Sequence, residues 1–257
     1  GFVKFVMGNY KRASALVSAG QLLEAAAMYA EAAPLANPDE RTELERLRIE
    51  QLLRAGRLRE GMTLAEAHMR AIGCVLPDSQ RATIVSVLTQ RLALRLRGTR
   101  FKPRSLVELP ARAVQEVDLL WSVCSGLSFA NPVQGKLVQL WHLRRALALG
   151  ERRRVAMALA IEVGYMTSTG ADAHPRAEKM AVRAREVAVE AGDEFVIGLI
   201  EACGGLSDFL VGRWSRADQR MKAGMRRMRD HGVGGRWEID LTELFYLSNL
   251  LYCGQLR

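Results

Sequence analysis

Apolar residues recur along this chain at intervals of three and four, with polar residues between them. Near the C-terminus, Trp237, Leu241, Leu244, Phe245, Leu251 and Tyr252 fall on one helical face. Trp214, Ala217, Met221, Gly224, Met225 and Met228 fall on another. Continuous β-branched strand patterns are nearly absent, and alanine and leucine, which lose little side-chain entropy in a helix, are abundant. The pattern predicts about twelve helices, over 4–18, 21–33, 39–55, 57–73, 80–97, 112–129, 133–149, 151–168, 174–191, 193–211, 213–231 and 235–253. Pro34 and Pro38 end the second helix, and Gly150, Gly192 and Gly212 stop the helices before them. Asn131-Pro132 supplies an N-cap followed by a proline at the first helical position, with Gln134 placed for a capping box.

A short phrase opens several of these helices: glycine, a polar residue, a large apolar residue. It stands at Gly20-Gln21-Leu22, Gly56-Arg57-Leu58, Gly212-Arg213-Trp214 and Gly254-Gln255-Leu256. In the first three copies a small residue follows five positions after the glycine: Ala25, Gly61 and Ala217. Glycine suits a left-handed turn between two antiparallel helices, and small residues let the backbones approach. The first two copies are 36 residues apart and the last two 42 apart, within the period of helix-pair repeats. The expected fold is all-α, a right-handed α-α superhelix of about twelve antiparallel helices forming one solenoid over 1–257, with an irregular break at 98–111. The chain begins on glycine and ends on an unfinished hairpin, Gly254 to Arg257, so it is expected to be a fragment of a longer protein.

Composition narrows the class. The chain is 49% hydrophobic and 25% charged, ordinary for a globular protein. No apolar run approaches the roughly 20 residues that span a bilayer, so no membrane insertion is expected. Net charge is +9, and 31 of the 37 basic residues are arginine, whose planar fork suits carboxylates and phosphates. Cys74, Cys124, Cys203 and Cys253 lie far apart in apolar surroundings, without metal-ligand or redox spacing. Buried free thiols in a reducing compartment follow, and with them a cytoplasmic location.

The hairpin phrase resembles tetratricopeptide-type repeats in degenerate form. Longer stretches, Arg46 to Gly61, Arg91 to Arg104, Asp118-Leu119-Leu120-Trp121 and Trp237-Glu238-Ile239-Asp240, resemble the helical region that follows the ATPase domain in large bacterial serine/threonine protein kinases. Those proteins join a kinase domain, an AAA/STAND-type ATPase domain and a tetratricopeptide-like array. The resemblance covers roughly residues 20 to 257. It implies a helical array for sensing, partner binding or control of the ATPase switch, and transfers no function to a named residue.

Candidate chemistry is sparse. Ala130 to Leu137 imitates a phosphate-binding loop, but leucine stands at 137 where the metal-binding hydroxyl belongs, no strand precedes it, and Pro132 removes a backbone donor. A loop with a helix cap is expected there. His68, His142, His174 and His231 read as isolated, without zinc-ligand spacing, and His142 as a polar core or groove residue. No catalytic residue, cofactor or metal ligand is assigned. Arg91, Arg95, Arg97, Arg100, Lys102 and Arg104, with Phe101 among them, form the densest basic stretch. They read either as an interaction patch for phosphates or an acidic partner domain, or as a solvated helix face and loop. Arg213, Arg216, Arg220, Lys222, Arg226, Arg227 and Arg229 form a second basic set, read as a solvated face.

The sequence therefore points to a non-catalytic scaffold for a protein partner or for neighbouring domains of its own chain. An arginine-rich module that binds nucleic acid or anions, in a transcriptional regulator, is the alternative. A small-molecule sensor with a pocket near Trp121, Trp141 or Trp237 is a third reading.

Overall fold

The computed structural model describes residues 2–232 and 235–255, with side chains from residue 8 onward except at position 129. Twelve α-helices, and no strand, are found among the described residues. They are α1 (Phe2–Ser18), α2 (Leu22–Ala32), α3 (Pro38–Arg54), α4 (Leu58–Ala71), α5 (Gln80–Arg97), α6 (Ala111–Ala130), α7 (Pro132–Leu149), α8 (Arg152–Thr167), α9 (His174–Ala191), α10 (Glu194–Leu210), α11 (Trp214–His231) and α12 (Arg236–Tyr252). Three single 3-10 turns, Ala33–Leu35, Leu106–Glu108 and Ala171–Ala173, lie between them.

The glycine phrase does what its chemistry predicts. At Gly20 (φ 80°) the Gln21 N–H donates to Leu16 O at 2.9 Å, and the Gly20 N–H donates to Val17 O at 3.0 Å. This pair of bonds satisfies two carbonyls that the end of a helix would leave unpaired. The same pair recurs at Gly56, Gly212 and Gly254, and also at Gly73 and Gly192. Leu256, the third residue of the last phrase, lies outside the described residues. At the helix starts, Asn37 forms a capping box with Glu40, Ser79 caps α5, and Glu151 accepts from the N–H groups of Arg153 and Arg154. Asn131 Oδ1 accepts from the Gln134 N–H at 3.2 Å, so the stretch that imitates a phosphate loop is a capped helix start.

The chain divides into two compact units, 1–101 with 105–149, and 102–104 with 150–257. In the first, α1, α2 and α3 pack in succession around Ala13, Ala25, Tyr29, Ala32 and Leu44. Then α3 and α4 pack with α6, and α6 with α7, around Ile49, Leu53, Met69, Leu120, Val123 and Val138. Helix α5 stands outside this succession and packs on α7, through Val87 against Leu137 and Leu140. It has no place in the succession of neighbouring helix pairs.

In the second unit the succession is regular: α8 with α9, α10 with α11, α8 with α10, and α10 with α12. Residues 102–104 run beside the start of α8, where the Arg104 N–H donates to Gly150 O at 3.0 Å. Helices α10 and α11 approach closely. A Cβ on Gly198 would lie 2.9 Å from Gly224 O, and one on Gly224 would lie 2.6 Å from Gly198 O, so neither position accepts a side chain without moving a backbone.

Three expectations need correction. Cys253 is exposed, because it follows the last turn of α12, whereas Cys74, Cys124 and Cys203 are buried. Trp214, placed on the core face of α11, is 39% exposed; its ring lies against Tyr252 instead, with centroids 5.7 Å apart. The predicted apolar face of α12 is only partly used. Leu244, Leu251 and Tyr252 are exposed, and Thr242 and Asn249 are buried in their place. Helix α12 is oriented by a hydrogen bond from Asn249 Nδ2 to Trp214 O (3.1 Å) and by the ring contact of Phe245 with Phe209.

Candidate functional site

Among the described residues, three places concentrate charged or exposed apolar side chains. The first is a cluster of charged groups in the second unit. His174 begins α9 and Glu178 follows one turn later on the same face. Asp208 comes from the last turn of α10, and Arg216 and Arg220 reach in from α11. His174 Nε2 lies 3.0 Å from Asp208 Oδ1. Arg220 donates to Asp208 Oδ2 at 3.1 Å and to Glu178 Oε1 at 2.7 Å. Arg216 pairs with Glu178 and lies 3.2 Å from Asp208 Oδ2. Beside them Thr167 and Ser207 share a buried hydrogen bond of 2.6 Å.

The electrostatics are those of a closed ion-pair network. Burial acts to raise the Glu178 pKa, but hydrogen bonds from Arg220 and Arg216 and their charges outweigh it, and the net shift is down. Burial acts to lower the Arg220 pKa, and Glu178 and Asp208 reverse that, so it stays charged. Ligand atoms of His174, Glu178 and Asp208 lie within 4.8 Å of one another, a spacing that could hold a metal ion. Yet Arg216 and Arg220 already occupy the carboxylate oxygens with two fixed positive charges, and a cation would have to displace them. Asp208 and His174 are also almost wholly enclosed. The cluster clamps α9, α10 and α11 together.

His174 is therefore not isolated, as the sequence suggested. Its four-residue spacing from Glu178 was a readable signal; Asp208, 34 residues further on, was not. The second basic set is likewise not simply a solvated face. Arg216 and Arg220 belong to the clamp, and Lys222, Arg227 and Arg229 pair with Asp218, Glu194 and Glu243.

The second place is a buried charge centre in the first unit. Glu50 of α3 accepts from Arg46 (2.6 Å), Arg54 (2.9 Å) and the Ser122 hydroxyl of α6 (2.7 Å). Burial acts to raise its pKa, and Arg54, Arg46 and Ser122 together bring it down to about 2. Nearby, His142 is a core residue: Nδ1 lies 3.2 Å from Gln139 Oε1 and its ring packs on Trp121. Trp121 is buried and Trp141 packs against two core clusters, which accounts for both without a ligand.

The third place is α5. Thr83, Val87 and Leu94 face inward, and the opposite side presents Ile84, Val85, Leu88, Leu92 and Leu96, which are 45–82% exposed. Ile84, Leu88, Leu92 and Leu96 form one row at four-residue spacing, a ridge along the helix. The basic stretch noted in the sequence divides here. Arg91, Arg95, Arg97 and Arg100 belong to the first unit, with Arg91 half-buried and the others exposed. Arg97 turns back to donate to the carbonyls of Gly98 and Arg100. Lys102 and Arg104 are exposed residues of the second unit. The exposed ridge escaped the sequence reading, although apolar residues on two opposite faces of one helix exceed what one buried face can use.

No family model, no curated protein and no solved structure matches this chain.

Proposed function

We propose that this chain is a non-catalytic scaffold of tetratricopeptide-like helix pairs, wound as a right-handed superhelix, that binds a protein partner or a neighbouring domain of its own chain. On this reading it is the sensor or regulatory region of a cytoplasmic bacterial signalling protein with kinase and ATPase domains. The observation that carries the binding role is the α5 ridge. A helix anchored through one face and apolar on the other leaves a surface that water solvates poorly and a partner can cover. The repeated glycine-closed turns support the repeat architecture.

The test is site-specific photo-crosslinking in cells, with the photoreactive residue at Leu92 or, as control, at the equally exposed Val182. A discrete protein adduct at 92 and none at 182 is expected. Equal labelling at both positions overturns the binding role. The purified chain is expected to release no phosphate from ATP, and turnover that survives rigorous purification overturns the non-catalytic reading.

A further inference from the structure

We infer that the α5 ridge receives an acidic amphipathic helix of a partner protein; this rests on the reading of the chain as a binding scaffold.

The ridge from Ile84 to Leu96 runs about 18 Å at 1.5 Å per residue, three turns of a docked helix. The four side chains of this row and the neighbouring Val85 together expose on the order of 500 Å², the size of patch that marks an interaction site. Beside the Ile84–Leu96 row runs the lower row Val85, Thr89 and Ala93. A ridge next to a shallow row is the relief into which another helix packs. An extended peptide fits less well. The backbone of α5 spends its N–H and carbonyl groups internally, so a strand laid on it would leave its own unpaired, whereas a helix brings them satisfied.

Charge selects the sign of the partner. Arg81, Arg91, Arg95 and Arg97 lie on α5, which contains no acidic residue. Arg95 and Arg97 suit the C-terminal end of the helix dipole. Arg81 sits in the first turn, where a cation opposes the dipole and an acid would be preferred, so helix stability does not explain it. Some arginines elsewhere are matched by acids, as in Arg145 with Glu116 and Arg153 with Asp193. Arg81 and Arg95 enter no ion pair among the described residues. A second copy of α5 on this face would bring arginine against arginine, which disfavours self-pairing. A membrane surface also suits basic charge, but the ridge is narrow, flanked by Thr89, and carries no Trp or Phe to anchor in a lipid interface.

The experiment uses the whole chain and fluorescence anisotropy of a labelled 18-residue helical peptide with leucines at four-residue spacing and glutamates on both flanks. Comparison probes are the same peptide with lysines for glutamates, a scrambled acidic peptide, and vesicles of phosphatidylglycerol. The acidic amphipathic peptide is expected to bind at least tenfold more tightly than either other peptide, and to weaken as salt is raised. Leu92→Ser is expected to reduce that binding at least tenfold. Arg81→Glu with Arg95→Glu is expected to move the preference to the lysine peptide, with helical circular dichroism unchanged in both variants. Equal binding of the scrambled peptide, no binding of any peptide, or binding to vesicles alone overturns the inference. If such a result accompanies a protein adduct at position 92 in cells, the scaffold reading stands and only the class of partner falls.

Discussion

The guanidinium of Arg220 fills the space that a side chain at position 204 would need: a Cβ on Gly204 would lie 1.8 Å from Arg220 Nη2. Arg220 cannot simply swing aside, because Glu178 and Asp208 hold it. Gly204→Ala is therefore expected to destabilise the chain by about 3 kcal/mol, the scale of a broken buried ion pair. The same change in an Arg220→Met background should cost far less, and urea unfolding of the four species in the double-mutant cycle measures the difference.

The charge centre at Glu50 predicts the acid limb of the stability curve. Its pKa is lowered from 4.5 to about 2 in the folded chain. The unfolded chain thus binds the proton first, and the Glu50 contribution is complete above about pH 4.5 and declines as pH falls towards 2. At roughly 1.4 kcal/mol per unit, about 3 kcal/mol is lost across that window. Chemical denaturation between pH 6 and pH 2 should show this slope in the native chain and a shallower one in Glu50→Gln, which is also less stable at neutral pH.

Thiol chemistry separates the four cysteines. Cys253 is exposed and is expected to react with a disulfide reagent at once. Cys74, Cys124 and Cys203 should react only on unfolding, and burial pushes the Cys203 thiol up to about 12, against the opposing pull of Arg220. One fast equivalent and three slow ones is the expected count.

Gly212 is in the left-handed region at φ 76°, and nothing lies within 4 Å of a Cβ placed there. The cost of Gly212→Ala is thus backbone strain alone, about 1 kcal/mol, and Gly212→Asn should lose less because asparagine tolerates that conformation. Thermal melts of the two variants give the order.

The two sides of α5 should answer differently to the same change. Val87→Ser removes a buried contact with Leu137 and Leu140 and should destabilise by about 1–3 kcal/mol. Leu92→Ser acts on a side chain that is 58% exposed and should stay within about 0.5 kcal/mol of the native chain.

Helix ends were legible in the sequence because their causes are local. Gly20 closes a turn through residues at most four positions away, and Asn37 caps through Glu40, so the expected and observed boundaries differ by no more than two residues. Contacts between distant residues were not legible. Nothing near His174 announces Asp208, and nothing near Glu50 announces Ser122, 72 residues away. Arg220 belongs to the set read as a solvated face, yet Arg46 and Arg220 are mostly buried against acids whose positions only the packing of helices fixes. Helix α5 lies between these cases. Its two apolar faces are written in the sequence, but which one is covered depends on α7.

Because α4 meets α6 directly and α5 rests on α7 through a single face, the proposed recognition and the folding of the chain would draw on different residues. Leu88 and Leu92 can change without disturbing the core, and Val87 cannot. A lineage of such chains could exchange one partner for another by altering the outer row of one helix, while the hairpins beneath it kept the same sequence constraints.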